Sequence, residues 1–277
     1  MEEWKAPYHE EIDGYKIAYH RMGSGEPMLL VHGITTYSFI WRNLMPALAE
    51  DHDVIVVDLL GCGDSDKPSG VDYSINAQAG ILRKLLERLG IEKIHVVTHD
   101  IGGGIGQILA VRHPDVVRTL VLINSVAFDF WPVQPIITMR IPIMRQLAMA
   151  VMDLGVFKLL VRRGVYHKER VDDDLMKLYF RPIKTVEGRQ GFLQLAKCLD
   201  SKHLMDIAND IRNLTLPVMI IRGDADPYLG PKASEKLHEE IKGSIYKVIT
   251  TGGHFIMEDE PELLVETIKE FIAKSRA

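Results

Sequence analysis

Cysteine is scarce: Cys62 and Cys198 are the only two in 277 residues. They form neither a disulfide framework nor a metal-site spacing, and they read as the reduced thiols of a cytoplasmic protein. Basic charge is not in excess. Lys and Arg number 33 against 38 Asp and Glu, for a net charge of −5. The electrostatic footprint that nucleic acid or an anionic membrane would require is therefore missing. No apolar run is long enough for a bilayer span, because the longest apolar region, 136–161, is broken by Arg140, Arg145, Asp153 and Lys158. That region reads instead as an amphipathic helix. The opening MEEWKAPYHEE is acidic and has no apolar core, so no secretory signal is expected. Internal repeats and low-complexity linkers are absent, and nothing in the pattern marks an oligomeric state.

What is present is an ordinary globular balance, 47% hydrophobic and 26% charged. Short β-branched runs alternate with helical ones. PMLLVHG (27–33), DVIVVDLLG (53–61), KIHVVTHD (93–100) and VRTLVLINS (117–125) are apolar on both faces, as strands buried in a parallel sheet must be. Helical stretches at 39–50, at 75–90 with its closing Gly90, and from Asp100 to before Pro114 lie between them. From 126 to about 212 the strand signal gives way to several helices rich in Met, Arg and Lys. Strands resume at 216–226 and 244–254, and a helix at 261–274 closes the chain. The expected architecture is an α/β fold: a mostly parallel central sheet flanked by helices, with a helical cap inserted before the last two strands. The expected division is a core of 1–125 and 213–277 interrupted by a cap of 126–212. The natural place for the cap is over the carboxyl ends of the strands, where such sheets bind ligands.

The chemistry centres on VTHDIGGG, 97–104. A small residue, any residue, a nucleophile, any residue and a second small residue describe a strained strand-to-helix bend that usually holds out a serine. Here the central residue is Asp100, and Thr98 stands at the first small position. A carboxylate with its reference pKa of about 3.9 is ionised at neutral pH without help from a base. In sheets of this kind the acid and then the histidine follow the nucleophile along the chain. Asp226, in the loop GDAD, is the expected acid, with Asp224 as its rival in the same loop, and His254 in TGGHFIME is the expected histidine. The amides of Ile34 and Ile101 are the expected oxyanion donors.

Other groups have plainer readings. His32 and His99 scaffold their turns. Asp58, Asp64 and Asp66 with Gly61 and Gly63 belong to turn chemistry rather than to a metal site. Asp172, Asp173 and Asp174 begin a helix. His167 and His203 are surface residues of the cap. Gly102 to Gly104 lack the full dinucleotide-binding spacing.

The segments HGITTYSFIWRNLMPAL, DLLGCGDSDKP, HDIGG and GGHFIMEDEP occur in that order. Together they resemble the α/β-hydrolase superfamily over essentially the whole chain, in its branch of haloalkane dehalogenases and epoxide hydrolases. The resemblance implies a hydrolase core with a helical cap and a cofactor-free, metal-free mechanism. It also implies that Asp100 forms a covalent alkyl ester which water activated by His254 hydrolyses. The chemistry agrees: a carboxylate attacking an ester or amide would give an anhydride, whereas attack on a saturated electrophilic carbon gives a stable ester. The expected partner is a small, apolar, electrophilic substrate.

The sequence also departs from that branch. Dehalogenases usually place a tryptophan immediately after the nucleophile, and here Ile101 stands there; in one dehalogenase group an asparagine follows the His-Gly pair, and here it is Ile34. Trp131 at the cap entrance is the alternative indole donor. Epoxide hydrolases use cap tyrosines to protonate the opening ring, for which Tyr166 and Tyr179 are the candidates. The phenylalanine-proline that usually follows their His-Gly pair is replaced by Ile34 and Thr35. An epoxide substrate is favoured slightly, a haloalkane is the alternative, and a non-catalytic ligand-binding protein on a hydrolase fold is the third reading.

Overall fold

A computed structural model describes residues 4–132, 136–139, 141 and 155–275. Eight strands form one sheet in the order β1-β2-β4-β3-β5-β6-β7-β8. They run Tyr8–Ile12 (β1), Tyr15–Met22 (β2), Glu26–Val31 (β3), His52–Val57 (β4), Ile94–Asp100 (β5), Val117–Ser125 (β6), Val218–Gly223 (β7) and Ile245–Ile249 (β8). From β4 through β3, β5, β6, β7 and β8 every pairing is parallel. The apolar runs that read as buried strands become β3 to β7, and β5 at the centre is buried at every position. β8 is an edge strand whose Ile245 and Val248 are exposed.

The N-terminal strands carry no apolar run. β1 and β2 form an antiparallel hairpin, and β2 pairs antiparallel with β4. Asp13 and Gly14 turn that hairpin with positive φ, 53° and 81°, as a two-residue turn between right-twisted strands requires.

The helix Ile75–Arg88 starts on Ser74, whose Oγ accepts from the Ala77 N–H (3.2 Å), and turns off at Gly90 with φ +69°. The stretch 39–50 is not one helix. A single tight turn at Ser38–Trp41 precedes a short helix at Met45–Leu48, with Pro46 in its first turn. Pro46 has no N–H to continue a helix from upstream, so it starts a new one.

The insert between β6 and β7 is helical in its described part, with helices at Phe157–Gly164, Asp173–Phe180 and Val186–Cys198. Asp172 Oδ1 caps the second from the Leu175 N–H (2.7 Å) and Thr185 Oγ1 caps the third from the Gly188 N–H (3.0 Å). Much of the apolar region 136–161 lies outside the described residues. Among the described residues no helix is long and apolar enough to cross a membrane.

Candidate active site

β5 ends at Asp100 and the helix Ile101–Arg112 begins at the next residue. Asp100 takes φ +54° and ψ −121°, a conformation that costs a non-glycine residue of order 1–3 kcal/mol. Surrounding contacts hold it there. A Cβ on Gly102 would lie 2.6 Å from the backbone oxygens of Val31 and His32, and one on Gly33 would lie 2.6 Å from Asp100 Cβ and Oδ2. A Cβ on Gly103 would overlap Ser125 Oγ. The glycines weaken the helix by roughly 1 kcal/mol each in intrinsic propensity, but they let its first turn press against β3 and β6. Thr98, at the first small position, is accommodated from the other side. Its Oγ1 donates to the Val121 carbonyl (2.9 Å) and its methyl faces Gly106.

The Ile34 N–H donates to Asp100 Oδ2 (2.8 Å), and the Ile101 amide also hydrogen-bonds the carboxylate. Both expected oxyanion amides thus converge on the Asp100 carboxyl group itself. His32 fixes the loop that carries Ile34. Its Nε2 accepts from the Leu59 N–H (3.0 Å), which leaves Nδ1–H to donate to the Gly33 carbonyl (2.8 Å). Burial drives its pKa down, so the ring is neutral.

Burial also acts on Asp100, which is 5% exposed. Desolvation raises its pKa; the nearby His254 and the Ile101 and Ile34 amides work in the opposite direction without cancelling the rise.

Asp226 and His254 are brought together as expected. Asp226 Oδ2 accepts from His254 Nδ1–H (2.9 Å), and Oδ1 accepts from the Tyr228 and Leu229 amides (2.8 and 3.1 Å). The rival Asp224 points away: its side chain is half exposed and pairs with Arg222 (2.6 Å). Burial disfavours an imidazolium at His254, but the charge and hydrogen bond of Asp226, and then the charge of Asp100, outweigh it and raise the pKa above 6.5. Nε2 is left free of the Asp226 bond.

The candidate cap groups fare differently. The Tyr166 ring is 44% exposed and packs on His167, while its amide is held by Asp259 Oδ2 (2.9 Å). The Tyr179 ring is fully buried against Phe39, Phe157 and Phe255. Its phenol pKa is raised well above 10 by burial, and its foremost charged neighbours are Glu258, Arg42 and Asp259. The buried Tyr179 hydroxyl has no hydrogen-bond partner among the described residues. Trp131 is buried, and its Nε1–H has no partner among the described residues.

Residues not singled out from sequence frame the dyad. The Tyr228 ring stands edge-on to His254 (5.2 Å), and its hydroxyl donates to the Leu160 carbonyl of the cap (2.7 Å). Asp259, fully buried, accepts from the amides of Gly253, Tyr166 and His167, all within 2.9 Å. It so ties the histidine loop to the cap. Its place in GGHFIMEDEP was visible, but a carboxylate satisfied by backbone amides leaves no side-chain pattern. A groove of about 830 Å³ opens between the loop 63–67 and cap residues 174–187; Asp64, Lys67 and Arg181 line it, and Asp100, Asp226 and His254 do not. Among the described residues no group of His, Cys, Asp and Glu is arranged to hold a metal ion.

The family description "alpha/beta hydrolase fold" matches residues 26–151. A soluble epoxide hydrolase of Corynebacterium sp. (strain C12) is 30% identical, with 96% of each chain covered. The chain belongs to the α/β-hydrolase fold family. It is an enzyme, a hydrolase of the broad kind that takes in epoxide hydrolases, haloalkane dehalogenases and meta-cleavage-product hydrolases. A cis-3-alkyl-4-alkyloxetan-2-one decarboxylase of Shewanella oneidensis is 29% identical over 95% of this chain and 87% of its own. Among solved structures, a haloalkane dehalogenase of Bradyrhizobium elkani superposes on this α/β-hydrolase with a TM-score of 0.86, at 25% identity, over 97% of this chain and 98% of its own.

Proposed function

We propose that this hydrolase opens a small, apolar epoxide through a covalent ester of Asp100, which His254, oriented by Asp226, then hydrolyses. The observation that carries the reading is the Asp100 carboxyl group at the strained elbow, with Oδ2 accepting the Ile34 amide. In the first step the other oxygen, Oδ1, bonds to a ring carbon, the carbon–oxygen bond of the epoxide breaks, and the alkoxide takes a proton. In the second step His254 Nε2 removes a proton from water and the hydroxide adds to Asp100 Cγ. Negative charge develops on Oδ2, where the Ile34 amide already sits, with the Ile101 amide beside the same carboxyl group. Collapse returns that proton to the departing diol oxygen and leaves Asp100 as a carboxylic acid; the proton it releases on returning to the carboxylate balances the one the alkoxide took in the first step.

The same charges time the reaction. In the free enzyme the Asp226 and Asp100 carboxylates both favour the His254 imidazolium. Esterification neutralises Asp100, removes one of those attractions and lowers the His254 pKa at the stage where a neutral base is needed.

An epoxide brings ring strain to the first step, and its leaving oxygen stays tethered to the product. An alkyl halide sheds an anion that needs N–H donors in an apolar pocket. Ile101 supplies no side-chain donor, which favours the epoxide. The indole N–H of Trp131, without a partner among the described residues, favours the second reading, a haloalkane. The Shewanella relative adds the oxetan-2-one, a strained oxygen ring with a saturated electrophilic carbon, to the panel worth testing.

The test is intact-protein mass spectrometry of wild type, Asp100→Asn and His254→Ala with epoxides, haloalkanes and oxetan-2-ones. His254→Ala should accumulate an adduct of substrate mass on Asp100 with the compounds the wild type converts. Asp100→Asn should accumulate none. Turnover by wild type with no adduct on His254→Ala would overturn the mechanism. An adduct that retains every substrate atom marks ring opening, and one lacking the halogen marks dehalogenation.

A further inference from the structure

The triad is carried on three separate loops, and one side chain joins two of them. Asn124 lies near the end of β6 with φ +41° and is buried. Its Nδ2 donates to the carbonyls of Gly253 and His254, both at 2.9 Å. Its Oδ1 accepts from the Gly223 N–H (2.8 Å). Gly253 and His254 belong to the histidine loop. Gly223 ends β7 and opens the loop of Asp226, whose own N–H returns to the Gly223 carbonyl (3.2 Å). Between these loops there is no room for another side chain, since a Cβ on Gly223 would overlap the Gly253 carbonyl.

The nucleophile strand contributes a second tie. His99 Nε2–H donates to the same His254 carbonyl (2.9 Å), while its Nδ1 has no partner among the described residues. Burial, and then the neighbouring His254, lower the His99 pKa well below 6.5, so the ring is neutral with its proton on Nε2. The His254 carbonyl therefore takes one bond from the strand of Asp100 and one from Asn124. Each N–H of the Asn124 amide is used, and its oxygen faces the opposite way, toward the acid loop.

We propose that Asn124 is a positioning residue that fixes the spacing of Asp226 and His254, and through it the release of the covalent intermediate. Its three side-chain bonds go to the acid and histidine loops and none goes to Asp100, so its effect falls on the second step. The kinetic part rests on the ester mechanism proposed above; the spacing part does not.

The variant of choice is Asn124→Gly, which removes all three bonds and suits the positive φ. One readout needs no substrate: the His254 imidazole pKa by NMR. Loss of the bracket loosens the Asp226 bond, and the pKa should fall from its wild-type value. A pKa equal to wild type overturns the inference whatever the enzyme hydrolyses. The second readout uses any compound that wild type converts. Ester formation should stay within about threefold of wild type while ester release slows at least tenfold, the range expected when a general base is misplaced. Equal slowing of both steps, or no slowing of release, overturns the inference. Asn124→Asp keeps the acceptor for the Gly223 N–H and tolerates the same backbone but loses both donated bonds. It should show the same kinetic split, and supplies the test if the glycine variant does not fold. Failure of the mechanism itself is distinguishable, because then His254→Ala accumulates no ester while the Asn124→Gly imidazole pKa still reports on the bracket.

Discussion

In the mechanism proposed above, Asp100 is one residue whose setting redirects the chemistry of a familiar turn. A serine at this bend needs a base before it can attack, whereas a carboxylate needs its charge preserved in a buried place. The structure supplies that with two amides and the His254 ring. Two expectations follow at this scale. Asp100→Asn removes one of the charges that favour the imidazolium, so the His254 pKa measured by NMR should drop below that of wild type; an unchanged value would separate the two groups. Gly33→Ala would place a methyl 2.6 Å from Asp100 Oδ2. The carboxylate must then shift, and a displacement near 1 Å costs on the order of 10²-fold in rate. Turnover should fall by that order while the far-UV circular dichroism and melting temperature stay close to wild type. The residue identities of Asp100, Asp226 and His254 were legible in the motifs and their order. The choice between Asp224 and Asp226 was favoured there and made clear only by the Arg222 partner of Asp224 and its exposure.

Among the elements, the strands β3 to β7 were the most legible, because they are buried over most of their length and are therefore largely apolar. The β1–β2 hairpin escaped notice because it is largely solvated, with Tyr8, His9, Lys16, Arg21 and Met22 exposed along it. The helix Pro231–Glu240 was likewise missed, since only Ala233, Ser234 and Leu237 are buried. One contact between elements carries a measurable energy. Arg42, just after the turn Ser38–Trp41, makes a bidentate bond to Glu258 (2.7 Å for both pairs), and the Glu258 side chain is only 4% exposed. Arg42→Ala strands that carboxylate, and breaking a buried pair from one side costs about 3–5 kcal/mol. Urea unfolding should show a lower midpoint of that size with an unchanged slope. A loss below about 1 kcal/mol would mean that the pair behaves as an exposed one.

At the scale of the whole molecule, stability and the proposed function oppose each other at Asp100 and His254. The folded-state pKa values of Asp100 and His254 are both raised. Each group's contribution to stability is thus complete below its unfolded pKa, about 3.9 for Asp and 6.5 for His, and is lost as pH rises through the folded value. Ionised Asp100 is a net cost at neutral pH. Asp100→Asn should melt higher than wild type at pH 8, by the order of 1 kcal/mol that active-site replacements return. The gap should narrow as the pH falls toward the Asp100 pKa, and thermal unfolding across pH 4 to 8 checks both statements.

The sequence by itself determined the α/β alternation, the helical insert between β6 and β7, and an aspartate at the elbow, since burial periodicity and turn chemistry are local properties of the chain. Tertiary structure alone decided that Oδ2 of Asp100 meets the Ile34 amide 66 residues away. It also decided that Asn124 joins the acid and histidine loops through their backbone groups. Those facts depend on backbone amides and carbonyls that every residue carries, so no choice of side chain in the sequence announces them.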